Sequence, residues 1–223
     1  PHQTSWGVTT RLIGAIIMPP GDDNGLVLPP AVAPIQVVIV PVAQHKEGVL
    51  EKANELYATL KAAGIRVKLD DSENSPGWKF AEYEMRGVPL RIEIGPRDIE
   101  EGKCVAVERH NRNKTFIPLE NLVEGVKERL QAVHDGMYEK ALANQQARTY
   151  SCTSIEEINA MLNEKGDGFV KAMWCGDEAC EDKVKELTGV GSRCIPLEQE
   201  HIDDKCVCCG KPATCMVVWG KAY

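Results

Sequence analysis

Ile35-Gln36-Val37-Val38-Ile39-Val40-Pro41-Val42, then residues 46–63 (KEGVLEKANELYATLKAA), then Ile65-Arg66-Val67-Lys68-Leu69 decide the fold. The first stretch is a near-continuous apolar, β-branched run, the pattern of a strand covered on both faces. In the second, Val49, Leu50, Ala53, Leu56, Leu60 and Ala63 recur at helical spacing, and Gly64 stands where a helix is terminated. The third alternates as a strand. Strand, helix and strand within about thirty-five residues make a βαβ unit, which implies a parallel pair, a right-handed crossover and an α/β domain.

Working outward, Ser75 and Pro76 offer an N-cap and a first helical residue for a short helix over 76–86. Strands are expected at Val88–Ile94, Lys103–Glu108 and Thr115–Ile117. Gly95-Pro96 and Asn111-Arg112-Asn113 supply the turns, the second as a hairpin. A long helix follows from Leu119 to about Ala147, with a break expected near Asp135-Gly136. Upstream, residues 1–30 read as a strand (Thr4–Thr10), a helix (Leu12–Met18) stopped by Pro19-Pro20-Gly21, and a loop. The prolines between Pro29 and Pro34 mark a boundary. From residue 152 a second, smaller unit begins, with a helix opened by Thr153 or Ser154 and reaching Leu162. A strand at Phe169–Trp174, a helix at Cys180–Leu187 and strands at Arg193–Leu197 and Met216–Trp219 complete it.

That second unit contains Cys175-x4-Cys180 and Cys206-x2-Cys209. Two short cysteine pairs brought together from separate turns are what a tetrahedral all-thiolate zinc site needs. Gly176 and Gly210 lie beside one cysteine of each pair, as tight chelating turns require, whereas cysteines clustered only as buried thiols need no such spacing. Cys208 lies inside the second pair and competes with Cys206 or Cys209 as ligand. A closed four-thiolate site has no open coordination position, so the expected role is structural.

Composition sets the limits. The nine cysteines are an odd number gathered toward one end, which suits a reducing compartment and a metal better than a disulfide framework. No run of 18 uncharged apolar residues exists to span a membrane. The start, Pro1-His2-Gln3, lacks the form of a signal peptide and lacks Met, and it reads as a fragment or processed piece. A net charge of -7 excludes nucleic-acid binding through bulk charge. Acidic and basic residues nearly balance between Lys61 and Lys114, so any RNA contact there depends on a few aimed groups. Glu84, Arg91, Arg97, Asp98 and Lys114 punctuate element ends in this region. They are either a solvated surface or base-edge readers, since Arg and Lys donate to guanine O6 and N7 and carboxylates accept from amino groups. Arg11, before an apolar helix, is either a plain first-turn arginine or a phosphate-holding one. His2, His45, His110, His134 and His201 are scattered without a matching nucleophile.

Three stretches, in order, resemble one family. Residues 2–14 (HQTSWGVTTRLIG) with 21–30 (GDDNGLVLPP) are similar to the third class II motif of the prolyl-tRNA synthetases. The likeness continues through Ile35–Val42 and residues 87–98 (GVPLRIEIGPRD), and then the four-cysteine spacing and a terminal Tyr223. The zinc-type module points to the archaeal/eukaryote-like branch. The resemblance implies three parts: residues 1–34 as the end of the class II catalytic domain, 35–147 as the anticodon-binding domain, and 148–223 as a small α+β zinc-binding domain. It implies a five-stranded mixed sheet with three helices for the middle part. It also implies that Arg11 stacks on adenine and meets the ATP phosphates, with Gln3, Thr4, Ser5 and Gly7 lining the ATP and proline sites. Glu84, Arg91, Arg97, Asp98 and Lys114 are implied to read the two guanines of the proline anticodon, and Cys175, Cys180, Cys206 and Cys209 to hold structural Zn²⁺. The implied partners are tRNA(Pro), with proline, ATP and Mg²⁺ for a cytoplasmic, homodimeric parent enzyme; neither DNA nor membrane is expected. Two departures stand out. Pro19-Pro20 replaces a Val-His or Thr-His pair, and the first two class II motifs do not precede the third. The expectation is therefore a portion that recognises tRNA and is inactive alone. A stand-alone RNA-binding or protein-interaction module is the alternative.

Overall fold

The computed structural model describes residues 3–221. Its elements divide between two compact units, one through Ala141 and one from Leu142.

In the first unit, β1 (Val37–Pro41), β2 (Val67–Leu69), β3 (Leu90–Ile94), β4 (Lys103–Glu108) and β5 (Lys114–Pro118) form one mixed sheet in the order β2-β1-β3-β4-β5. β1 pairs parallel with both β2 and β3, and β3-β4-β5 run antiparallel. The αβ character expected from residues 35–69 is therefore present, and the five-stranded mixed sheet with it. β1 is buried along its whole length because helices cover both of its faces. On one face, Val37, Ile39, Leu90, Ile92, Ile94, Ala106 and Ile117 pack against Ala53, Leu56 and Leu60 of α2 (Val49–Ala62). Leu122, Val126 and Leu130 of α5 (Leu122–Ala147) complete that core. On the other face, α3 (Pro76–Met85) sets Tyr83 and Phe80 against Val38, Val40 and Val88. α3 starts where expected, with Ser75 Oγ accepting from the Trp78 N–H. It covers only the β1–β3 half of its face.

Three local expectations change. Residues 3–9 form no strand, since no neighbouring strand offers them a hydrogen-bonding edge; the helix after them, α1 (Arg11–Ile17), is present and has no buried residue. A short helix, α4 (Pro96–Glu100), follows β3, and Asp98 Oδ2 accepts from the Gly95 N–H at 2.8 Å to cap it. The long helix does not break at Asp135-Gly136. A Cβ added at Gly136 would lie 2.4 Å from His110 Nε2, so this glycine marks a close approach. Docking of the buried helix face outweighs the roughly 1 kcal/mol that a mid-helix glycine costs.

The segment before β1 is tied down too. Leu26 N–H donates to Met85 O at 3.0 Å and Leu28 N–H to Gly87 O at 3.3 Å. Asp22 is gripped by both terminal nitrogens of Arg109 at 2.8 and 2.6 Å, and Arg109 also donates from Nε to Glu84 O.

In the second unit, β6 (Thr149–Ser151), β7 (Phe169–Trp174), β9 (Cys215–Lys221) and β8 (Val190–Cys194) make a four-stranded sheet in that order. β6 and β7 are parallel and the remaining pairs antiparallel. Ile158 of α6 (Ile155–Lys165) and Val184 of α7 (Glu178–Thr188) bury against Val170, Ala172, Val217 and Trp219. β8 forms earlier than the expected Arg193–Leu197, and its register slips between Ser192 and Cys194. Among the described residues, no helix is long and apolar enough to cross a membrane.

Candidate nucleic-acid interface and metal centre

Strand alternation places Arg91 and Glu93 of β3, Val105 and Val107 of β4, and Lys114 and Phe116 of β5 on the α3 side of the first sheet. The register aligns them in two rows, Arg91–Val107–Lys114 and Glu93–Val105–Phe116. α3 ends beside this face and contributes Glu84.

Arg91 is almost wholly enclosed. Its guanidinium lies 4.0 Å from the centre of the Phe80 ring, donates from Nη1 to Glu84 Oε1 at 2.8 Å and from Nε to Glu93 Oε1 at 3.0 Å. A guanidinium so engaged fixes two carboxylates at defined points. Glu84 keeps 26% of its side-chain surface open to solvent, so a carboxylate edge remains available. The backbone carbonyl of the same Glu84 is held by Arg109. The Arg109 hydrogen bonds, acting against partial desolvation, hold the Asp22 carboxyl well below the usual carboxylate range.

Arg97 and Lys114 are exposed, at the C-terminal end of β3 and the first residue of β5. Asp98 is half-buried and serves as the cap of α4. Of the five residues singled out in the sequence, Glu84 and Arg91 are in direct contact, and Lys114 shares their sheet face. Arg97 and Asp98 stand together at the end of the central strand. Sequence reading passed over Phe80, Glu93, Arg109 and Phe116. The alternation of Lys114, Phe116 and Pro118 carried a usable signal for Phe116, whereas nothing local links Arg109 with Asp22, 87 positions away.

Gln3, Thr4, Ser5, Gly7 and Arg11 are all exposed. Arg11 is the first residue of α1, and no contact gathers these five residues around one point among the described residues. His2 and Tyr223 lie outside the described residues.

The four cysteines converge. Cys175 follows directly on β7, and the turn after it positions Asp177 to accept from the Ala179 N–H at 3.1 Å, which places Cys180 in the first turn of α7. The second pair sits on a tight turn closed by Gly210 N–H to Cys206 O at 3.0 Å and Cys206 N–H to Lys211 O at 2.8 Å. The Val207 N–H donates to Met173 O at 2.9 Å and so fastens this turn to β7. The sulfurs of Cys175, Cys180, Cys206 and Cys209 all lie within 4.8 Å of one another, with Cys175 and Cys209 3.8 Å apart. A tetrahedral metal with metal–sulfur bonds of about 2.3 Å requires sulfur–sulfur edges of about 3.8 Å. The donor set fits. Cys208 is not in the cluster; it packs partly buried against the core of its unit. All nine cysteines are free thiols.

The site's electrostatics favour a cation. Burial pushes the Cys206 thiol up, but the backbone N–H groups of Cys209, Cys208 and Cys175 and the Cys175 thiol outweigh it, bringing Cys206 down to about 7. Burial holds Cys175 and Cys180 above the ordinary thiol range, and sulfur neighbours add to this for Cys180. A metal ion bound at the centre would favour the thiolate form of all four cysteines.

Each unit matches a known family model. Residues 36–129 match the family model "Anticodon binding domain", and residues 155–223 match "Prolyl-tRNA synthetase, C-terminal". The chain is 62% identical over 222 residues to a proline--tRNA ligase of Ruminiclostridium cellulolyticum and 58% identical over 223 residues to one of Clostridium botulinum. It is 57% identical over 222 residues to one of Clostridium novyi. In each case the whole of this chain aligns, the segment before residue 36 included, and it spans 46% of the relative's length.

Proposed function

Because this chain belongs to the prolyl-tRNA synthetase family and is a C-terminal part of such a ligase, we propose that it grips tRNA(Pro) by its anticodon for a synthetase that joins proline to that tRNA. The observation that carries this reading is the open part of the first sheet, where Glu84, fixed by Arg91, and an exposed Lys114 share one face, with Arg97 exposed beyond the C-terminal end of β3. In a single-stranded anticodon loop the base edges are free. A held carboxylate accepts from guanine N1–H and N2–H, and a cation donates to guanine O6 and N7. An acidic chain of net charge -7 needs this kind of aimed contact because it lacks a general attraction for phosphate. In this proposal Arg97 and Lys114 touch the RNA, while Arg91 acts through Glu84 and Asp98 acts by holding the turn that carries Arg97.

The reaction proposed for the complete enzyme is attack of the proline carboxylate on the α-phosphate of ATP, giving prolyl-adenylate and pyrophosphate, followed by attack of a tRNA hydroxyl on the prolyl carbonyl with release of AMP. No protein nucleophile is needed; cations, Mg²⁺ among them, stabilise the charge that develops on phosphate. Arg11 would contribute adenine stacking and phosphate contact, with Gln3, Thr4, Ser5 and Gly7 beside it. Because these residues are exposed and ungathered here, they complete a site only with further parts of a cytoplasmic, dimeric enzyme. Cys175, Cys180, Cys206 and Cys209 would hold Zn²⁺, which supplies a structural staple.

ATP–pyrophosphate exchange with proline, run beside tRNA binding, tests the division of labour. The expected result is tRNA(Pro) binding with no proline-dependent exchange. Robust exchange by these 223 residues contradicts it.

A further inference from the structure

The uncovered part of the first sheet holds one large aromatic ring. Phe116 is 62% exposed, although Val105, its partner across β4, is half-buried and Ile117 on the opposite face belongs to the core. A single exposed apolar side chain is ordinary on a protein surface, and only its neighbours can mark it as a contact. Its surroundings name the occupant. Lys103 Nζ stands 4.2 Å from the ring centre, and Lys114 lies two residues away on the same face. Glu93 stands two strands across in the same row, roughly 10 Å away at ordinary strand spacing. An apolar protein segment laid here would have to bury two lysines. A nucleobase presents a π-face to the ring, polar edges to the carboxylate, and a phosphate to the ammonium groups.

From this arrangement we propose that Phe116 is a stacking platform for one base of the tRNA anticodon loop. The inference rests on the tRNA reading above and adds a binding residue to it. In the free protein the Lys103 ammonium, paired with the Glu101 carboxylate, occupies the ring face through a cation–π contact. On binding, the base takes the face, and Lys103, with its rotatable donors, turns to a neighbouring phosphate. Stacking brings no sequence preference of its own. It holds the loop splayed so that Glu84, Arg97 and Lys114 meet the edges of neighbouring bases.

The test measures binding of the full 223-residue chain to a tRNA(Pro) transcript over a range of salt, using Phe116→Leu and Phe116→Trp. The Leu variant keeps apolar bulk without the π-face. It is expected to bind about 5- to 150-fold more weakly, with an unchanged salt slope because no counterion release is lost. The Trp variant is expected to stay within about twofold of the parent or bind more tightly. Lys103→Ala is expected to reduce the slope by about one unit. A Leu variant with parental affinity overturns the inference, and so does an equal loss in the Leu and Trp variants. A guanine-swapped transcript, run in parallel on the unmodified chain, separates the layers. If the unmodified chain prefers the natural anticodon and Phe116→Leu binds as well as it does, only the platform fails. If the unmodified chain shows no preference, the tRNA reading fails and the platform with it.

Discussion

At the residue scale, charge is organised by enclosure. Arg91 and Arg109 are both buried and spend their donors on Glu84, Glu93 and Asp22, whereas Arg97 is exposed. Arg97→Ala is therefore expected to weaken tRNA(Pro) binding by about 1–3 kcal/mol and to narrow the gap to a non-cognate tRNA, the mark of a base-edge contact. Equilibrium binding with both tRNAs checks this; an equal loss for the two would reveal a phosphate contact. His110 offers a different test. Burial, opposed by Glu108 and reinforced by Lys140, holds its pKa below the ordinary 6.5, and its Nδ1 has no hydrogen-bond partner. A depressed folded-state pKa means that the unfolded chain takes up the proton first, so this contribution to stability is present above about pH 6.5 and is lost as pH falls. Denaturant midpoints from pH 7.5 to 5.5 should fall less steeply in His110→Gln than in the parent. Arg97 and Lys114 were legible in the sequence as charged residues at element ends. The engagement of Arg91 was not, because a buried ion pair depends on α3 coming over β3, and no spacing along the chain records that.

At the element scale, the sequence was most informative where one periodicity ran unopposed. The apolar run at Val37–Pro41 and the 3.6-residue pattern of Val49, Ala53, Leu56 and Leu60 gave β1 and α2 directly. It misjudged elements whose fate is tertiary. Asp135-Gly136 looks like a break, yet the helix runs through it because Gly136 admits His110. Residues 4–10 look extended, yet a strand needs a partner edge. The cysteine turns were legible from spacing and adjacent glycines, while the exclusion of Cys208 required the geometry of the turn itself. Since metal binding and folding are coupled in such a cluster, Cys206→Ser is expected to loosen the second unit. Freshly purified protein should carry about one equivalent of zinc, and a thiol-competing chelator should lower the thermal transition of that unit. Metal content well below one equivalent with an unaltered transition would contradict an obligatory staple.

At the scale of the whole molecule, two family matches and two clusters of chemistry coincide: the open sheet face lies within residues 36–129, and the thiolate cluster lies within residues 155–223. The α/β class was within reach of the sequence because the βαβ unit rests on local pattern, whereas the five-stranded mixed sheet was reached through the family resemblance, and the cysteine pairs were legible with Cys208 still open. The face proposed to meet RNA was reachable only in part, since it is defined by what α3 leaves uncovered. In the proposed reading, a few placed side chains on that face, and not net charge, select the tRNA. The most direct measurement is competition for this chain between tRNA(Pro) and a transcript in which the two anticodon guanines are exchanged for other bases. The account predicts a loss of about 1–3 kcal/mol per exchanged guanine that persists at raised salt; equal affinity for the two transcripts would contradict it.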